Sequence, residues 1–150
     1  MPHLLTQTLA PLFFAAAAWL NGGATHASLA HKVVIVDVFT VDCYNCRNVT
    51  PNLRSLYRSV PHEKLAIVGV HTPETPYERQ RSHVVAEMKD LGIAWPVVLD
   101  NDNAIWNAYG IEAWPTQLIF DKHGRWRKTV VGDSQDDDVD RTVKALLAER

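Results

Sequence analysis

Residues 33–46, VVIVDVFTVDCYNC, decide how the rest of the chain is interpreted. The first half of this stretch is an almost unbroken run of β-branched side chains, which predicts a fully buried strand of the kind found in parallel sheets. A short loop then leads to Cys43 and Cys46, the two cysteines of the 150-residue chain. Apolar side chains recur at helical spacing as far as Ser59, so we predict a helix that begins at Cys43 and is kinked by Pro51.

The position of the cysteine pair at the start of a helix predicts redox chemistry. A thiol there faces the positive end of the helix dipole and unpaired backbone N–H groups, and both favour the thiolate. Because the thiolate is the form that attacks a disulfide, we assign the attack to Cys43. Cys46 lies one turn deeper, which suits it to resolving the mixed disulfide. No cofactor is expected beyond the redox-active disulfide Cys43–Cys46 itself.

The sequence supports other functions of the cysteine pair less well. Arg47 follows the motif, where covalent haem attachment requires histidine. A zinc site needs two further ligands, and the histidines that could supply them are scattered, at His62, His71, His83 and His123. We therefore predict no resident metal. A copper-handling module, in which both thiols and a histidine such as His71 bind the ion, stays open as an alternative.

The rest of the chain alternates strands and helices. Strands are predicted at 65–70, 96–99, 116–120 and 126–131. Helices are predicted at 77–91, 103–109 and 135–149, the first two ending at Gly92 and Gly110. A turn at 121–124 joins the last two strands into a hairpin. This order predicts one α/β domain, with a mixed central sheet flanked by helices and an antiparallel edge.

Composition narrows the function classes. A formal net charge of -2 gives no argument for nucleic acid as a partner. A hydrophobic fraction of 47% with 21% charged residues fits one globular domain rather than a disordered chain. Two cysteines form neither a disulfide-rich scaffold nor a four-thiolate zinc site.

The first thirty residues differ from the rest because none of them is Lys, Arg, Asp or Glu. The apolar run at 9–20 is followed by two glycines and small residues, which is the layout of a secretory signal, with cleavage predicted after Ala27 or Ala30. The run is shorter than the ~20 residues that span a bilayer, and an uncleaved anchor is the alternative. We thus predict a signal at 1–30, a domain at 31–150, and a periplasmic or otherwise exported protein whose dithiol cycles in an oxidising compartment.

Four landmarks in register resemble the thioredoxin-like superfamily. Thioredoxins carry a buried acid six residues before the first cysteine, where this chain has Asp37, and a proline five residues after the second, where it has Pro51. The segment 114–116 before a strand resembles their cis-proline segment, and 120–132 resembles their closing hairpin. The resemblance implies a thioredoxin-like fold with an inserted helix and strand before the cis-proline hairpin.

Within that superfamily, the chain is most similar to the exported TlpA/ResA/DsbE-type thiol–disulfide oxidoreductases. The signal-like segment and the added helix and strand between Val70 and Leu99 carry this similarity. The stretches 69–74 and 95–109 also resemble the thioredoxin-like domain of DipZ-type proteins. The same resemblance implies an enzyme that reduces disulfides of specific partner proteins rather than a general oxidant.

The resemblance also implies roles for individual residues. Burial would raise the pKa of Asp37, which could then take the proton from Cys46 during resolution. A substrate chain is expected to bind as a strand beside Trp114, Pro115 and Thr116. The implied partners are protein thiols and disulfides and a membrane or exported dithiol electron donor. A peroxidase-like antioxidant role is a further alternative, because 70–73 distantly resembles peroxidases.

Three residues around the motif depart from thioredoxins and are predicted to tune it. Asp42 stands where thioredoxins have Trp, and its negative charge opposes thiolate formation at Cys43. Tyr44 and Asn45 replace Gly-Pro, so the redox poise of thioredoxin does not carry over. The branch usually has an N-terminal hairpin before the central strand. Because the predicted cleavage site almost adjoins Val33, one edge of the sheet is expected to lack a partner.

Overall fold

The computed structural model describes residues 7–15 and 18–150; the parts of the predicted signal at 1–6 and 16–17 lie outside the described residues. The strands are β1 Trp19–Leu20, β2 Val33–Phe39, β3 Leu65–His71, β4 Val97–Leu99, β5 Thr116–Phe120 and β6 Trp126–Val131. The α-helices are α1 His26–Leu29, α2 Tyr44–Ser59, α3 Arg81–Leu91, α4 Ala104–Tyr109 and α5 Asp136–Ala148. Two 3-10 turns lie at Ala10–Phe13 and Pro76–Arg79.

The six strands form one mixed sheet in the order β1-β4-β3-β2-β5-β6. The central strand β2 pairs in parallel with β3 and antiparallel with β5. β4 extends the parallel part next to β3, and β6 closes the other edge against β5. The predicted α/β architecture, a mixed sheet flanked by helices with an inserted helix and strand, is confirmed.

Both faces of β2 are covered, which explains its unbroken apolar sequence. Successive side chains of a strand point to opposite faces. The odd-numbered residues of β2 join a core cluster that contains Cys46, Val49 and Leu53 of α2. The even-numbered residues join a second cluster that contains Ile105 of α4. Asp37 is odd-numbered and buried, so it lies on the face of the sheet that α2 covers.

One predicted helix is shorter in the structure. The segment 77–91 was expected to be a single helix, but a 3-10 turn occupies Pro76–Arg79 and α3 starts at Arg81. The hydroxyl of Thr75 caps the turn, and Gln80 has an extended backbone that separates it from α3. The predicted end at Gly92 is confirmed, because this glycine has a left-handed backbone with a φ of 71°.

Described residues before His31, the predicted boundary, contribute to the sheet. β1 pairs antiparallel with β4 and covers the sheet edge that the sequence left without a partner. The side-chain amide of Asn21 donates hydrogen bonds to the carbonyl oxygens of Ile93 and Trp95 at 3.1 and 3.0 Å. Leu29 is buried in the core with residues of β2. The described part of this segment therefore packs against the sheet through its apolar side chains.

The export signal at 1–30 is a separate matter and stays a prediction. Within the part of the chain that the structure describes, none of the helices has the length and apolar character that a membrane crossing requires. Cleavage after Ala27 or Ala30 would remove β1 from the sheet.

Candidate active site

The two cysteines occupy different environments at the start of α2. Cys43 is the N-cap residue, and its sulfur accepts the backbone N–H of Cys46 at 3.2 Å. This contact uses one of the free backbone donors at a helix N-terminus. Cys43 is partly exposed and Cys46 is buried. Cys43 is therefore the sulfur that a substrate can reach.

The surroundings of Cys46 keep it protonated. Burial is the largest cause of its raised pKa, followed by its hydrogen bond with Cys43. The negative charge of Asp37 raises the pKa further, whereas a hydrogen bond with the backbone of Thr40 acts in the opposite direction. Cys46 therefore needs a proton acceptor before it can act as a nucleophile.

Asp37 is a buried carboxyl on the face of the sheet that α2 covers. It lies in the middle of β2 on the α2 side, and burial raises the pKa of its carboxyl to about 7. Among the described residues, its Oδ1 atom has no hydrogen-bond partner. A group of this kind exchanges a proton readily near neutral pH. The negative charge of Asp37 raises the pKa of Cys46, so the protonation of each group affects the other.

The segment predicted to bind substrate, at 114–116, has defined contacts of its own. The Trp114–Pro115 peptide bond is cis. The indole N–H of Trp114 donates to the carbonyl oxygen of Thr72 at 2.8 Å, and its ring lies against Trp106 with ring centroids 4.2 Å apart. Trp114 and Cys43 both pack, partly exposed, against the same core cluster. The hydroxyl of Thr116 is buried and donates to Ala113, so it is already occupied.

The three predicted tuning residues differ in their contacts. Tyr44 is 78% exposed and Asn45 is also exposed. Asp42 is not an isolated charge, because its two carboxylate oxygens lie 2.8 and 2.9 Å from Nε2 of His83 on α3. Sequence reasoning considered His83 only as a scattered histidine. Its partner is 41 residues away, so no spacing pattern could have connected them.

A buried carboxylate, Glu78, was also missed. It accepts hydrogen bonds from the backbone N–H groups of Asp42, Glu74 and Thr75 at 3.1, 3.1 and 3.0 Å, and from the hydroxyl of Thr40. Burial works to raise the pKa of Glu78, but these hydrogen bonds outweigh it and hold the pKa below its usual range. The Thr-x-x-Glu pattern at 75–78 is a capping-box signature and could have identified this residue.

His71 supports the same loop from the end of β3. Its Nε2 accepts the backbone N–H of Val41 at 3.3 Å and lies 3.3 Å from the hydroxyl of Thr40. Burial lowers its pKa to about 4, so the ring is neutral at ordinary pH. Nε2 is thus engaged by the loop, whereas Nδ1 has no hydrogen-bond partner among the described residues. In residues 7–15 and 18–150, no group of three or more His, Cys, Asp or Glu side chains is arranged to hold a metal ion.

Comparison with known proteins identifies the family. Residues 31–126 match a family described as thioredoxin-like, which is more than half of the chain. The chain belongs to the thioredoxin-like family. The predicted resemblance to the thioredoxin-like superfamily is confirmed.

Relatives of this thioredoxin-like chain include proteins of very different length. DipZ of Mycobacterium tuberculosis is 32% identical over 133 residues, which is 86% of this chain but 19% of DipZ. The chain thus spans about a fifth of DipZ. The thiol-disulfide oxidoreductase YkuV of Bacillus subtilis is 27% identical over 133 residues, which is 88% of this chain and 89% of YkuV. A solved thiol-disulfide isomerase of Corynebacterium glutamicum superposes with a TM-score of 0.82 at 25% identity, covering 89% of this chain and 93% of that protein.

Proposed function

We propose that this chain is a thiol–disulfide oxidoreductase that reduces disulfides of specific partner proteins. The observation that carries the proposal is the asymmetry of the pair. A partly exposed Cys43 caps α2, and a buried Cys46 lies one turn deeper, coupled to the buried carboxyl of Asp37. YkuV, which this chain spans almost completely, is named for the same activity.

In the first step, the Cys43 thiolate attacks one sulfur of the substrate disulfide. A bond forms between Cys43 and that sulfur, the substrate disulfide breaks, and the other substrate sulfur leaves as a thiolate. The backbone N–H groups at the start of α2 stabilise the attacking thiolate before the bond forms. The product of this step is a mixed disulfide.

In the second step, Cys46 resolves the mixed disulfide. Its proton passes to the Asp37 carboxylate, and the resulting thiolate attacks Cys43. The Cys43–Cys46 disulfide forms and the second substrate sulfur leaves as a thiolate. The substrate gains two electrons and the pair loses two, so an external dithiol must reduce the pair again. We assign that role to a membrane or exported dithiol donor. No metal or other cofactor takes part in this scheme.

We propose that substrate binds beside Trp114, Pro115 and Thr116. The Trp114 ring is held by Thr72 and Trp106 and leaves part of its surface exposed next to the cluster on which Cys43 packs. An aromatic surface of this kind offers contact area to an extended substrate chain. Among thioredoxin-like proteins we place the chain in the TlpA/ResA/DsbE-type branch, because α3 and β4 form the insertion expected there.

Trapping of the mixed disulfide tests the proposed function. The Cys46→Ser variant lacks the resolving thiol, so it should accumulate a covalent adduct with a protein disulfide that dithiothreitol releases. The Cys43→Ser variant is the matched control and should form none. Adduct formation by Cys43→Ser and not by Cys46→Ser would reverse the proposed order of attack. The absence of an adduct in both variants would contradict the activity.

The cellular location is proposed from the sequence of residues 1–30. Export would place the pair in an oxidising compartment, where a reductase needs a dedicated electron donor. Fractionation of the cells that make the protein, followed by a mass measurement of the isolated chain, tests this proposal. A chain found outside the cytoplasm supports export, and its N-terminal residue shows whether β1 is retained. A chain found only in the cytoplasm contradicts it.

A further inference from the structure

We propose that His83 is a positioning residue that favours the thiolate form of Cys43. It does so by holding the Asp42 carboxylate and offsetting the negative charge of that carboxylate. The inference rests on the proposed function, since it concerns the reactivity of the attacking cysteine. It also explains how Cys43 can become a thiolate although its neighbour Asp42 carries a negative charge. The cation that offsets it comes from the inserted helix α3.

The contact between the two side chains is well defined. Nε2 of His83 lies 2.8 Å from one oxygen of Asp42 and 2.9 Å from the other. The imidazole is only 12% exposed, whereas the carboxylate is 39% exposed. The ring of Tyr77 stacks on the imidazole, with centroids 3.9 Å apart and an interplanar angle of 29°. The imidazole is therefore held in place by the ring of Tyr77 and by the carboxylate of Asp42, the residue that precedes Cys43.

A second charged contact keeps α3 beside α2. Glu87, one turn after His83, forms an ion pair with Arg47 of α2. Arg47 lies one turn after Cys43, and Asp90 is 3.8 Å from its guanidinium. Both charged contacts run from α3 to the first turn of α2 or to the residue before it. Together they connect α3, which carries His83, to the segment that carries Cys43.

Two titratable groups near His83, Glu78 and His71, each keep one protonation state near neutral pH. Hydrogen bonds hold Glu78 ionised, and burial keeps His71 neutral. A histidine side chain ordinarily changes charge between about pH 5 and 8. When His83 is protonated, its pair with Asp42 is neutral overall. When it loses the proton, the negative charge of Asp42 faces Cys43 without compensation.

Asp37 also changes charge near pH 7, since burial raises its pKa to about 7. Asp37 is buried in β2, and its negative charge raises the pKa of Cys46. Its contribution is the same in any two chains that share it. A ratio of rates between two His83 variants therefore isolates the effect of His83.

The test is the rate at which iodoacetamide alkylates Cys43, measured from pH 5.5 to 9 in the Cys46→Ser chain, where Cys43 is the single thiol. A unit charge within a nanometre at a protein surface changes a thiolate population by about fivefold. We expect His83→Gln to lower the rate about fivefold at pH 6 and to leave it almost unchanged at pH 9, because histidine side chains ordinarily change charge between about pH 5 and 8. His62→Gln is the matched control, because that histidine contacts Tyr57 at the other end of α2.

Two further variants separate charge from structure. His83→Lys keeps a positive charge across the range, so its rate should exceed that of His83→Gln at both pH 6 and pH 9. In an Asp42→Asn chain, substitution of His83 should change the rate by less than twofold. An equal loss at pH 6 and pH 9, no loss at pH 6, or a full loss in the Asp42→Asn chain would each overturn the inference. Alkylation needs no disulfide substrate, so a failure of the proposed function appears in the trapping experiment and not here.

Discussion

The carboxylate of Glu78 accepts the backbone N–H of Asp42 at 3.1 Å, so a side chain from the segment after β3 holds the residue that precedes Cys43. The same carboxylate accepts the hydroxyl of Thr40, and His71 accepts the N–H of Val41. The loop between β2 and α2 is thus fixed from its inner side by two residues that lie close together in the fold. Its conformation does not depend on the cysteines alone.

Removal of Glu78 should destabilise the domain. Glu78→Ala leaves buried donors without an acceptor, and we expect a loss of about 3 kcal/mol in the free energy of unfolding at pH 7. Because the folded pKa of Glu78 is lowered, its contribution is present above the usual pKa of glutamate and is lost as pH falls below it. Urea unfolding at pH 7 and pH 3.5 measures both effects. The exposed Glu74→Ala is the control, and equal losses in the two variants would contradict the role of Glu78.

Asp37 should have the opposite effect on stability. Below pH 3.8 the Asp37 carboxyl is protonated in both the folded and the unfolded chain. Between pH 3.8 and about 7 only the folded chain keeps this proton. Stability therefore falls as pH rises through this window, and the full cost above it is roughly 4 kcal/mol, at about 1.4 kcal/mol for each pH unit. Asp37→Asn should thus be more stable than the natural chain at pH 8.5 by up to that amount and nearly equal to it at pH 3.5. Equal stability at pH 8.5 would show that Asp37 is not a costly buried charge.

The resolving step gives an independent readout of the same variant. If Asp37 takes the proton of Cys46, Asp37→Asn should release a preformed mixed disulfide about tenfold or more slowly at pH 7. The difference should shrink as pH rises, because hydroxide then removes the thiol proton directly. Stopped-flow release of a labelled substrate thiol measures this rate. A more stable but equally fast variant would assign Asp37 a structural effect without a part in proton transfer.

The parts of the site that sequence could predict are those that lie close together along the chain. The alternating burial of β2 follows from an unbroken apolar run, and it places Asp37 on the same face as the helix that Cys43 opens. Asp42 and His83, in contrast, are brought together only by the packing of α3 on α2. The capping-box pattern at 75–78 could have indicated that Glu78 caps a turn, but its burial depends on contacts with Thr40 and Asp42, which lie far away in the sequence.

The N-terminal segment shows a second limit of sequence reasoning. The run that contains Leu12 and Leu20 has the composition of a signal, and apolar composition alone does not distinguish a segment for export from one that packs. The difference lies in the partner, because β1 pairs with β4, which follows almost eighty residues later. No local pattern in residues 1–30 reports that contact.

Loss of this segment should therefore weaken the domain. A chain that starts at His31 lacks β1 and the buried side chains of Leu12, Leu20 and Leu29, each worth about 1.5–3 kcal/mol. We expect its urea midpoint to fall well below that of the full chain. Leu20→Ala tests the contact without truncation and should cost more than Phe14→Ala, whose ring is 47% exposed. A truncated chain as stable as the full one would show that the segment is dispensable after cleavage.

Trp114 should matter for the size of the substrate rather than for the chemistry of the sulfur atoms. Trp114→Ala removes the aromatic surface that we propose binds the substrate, so we expect KM for a protein disulfide to rise about tenfold, as for an aromatic contact at an interface. Reduction of a small aromatic disulfide should change by less than twofold. Trp114→Phe keeps the packing against Trp106 and loses the hydrogen bond to Thr72, and it should lie between the two. Trp126→Phe, on the other face of the sheet, controls for a general loss of packing. If both substrates slow equally in Trp114→Ala, the indole supports the position of Cys43 and does not bind the substrate chain, because a contact with substrate alone cannot slow the reduction of a disulfide too small to reach it.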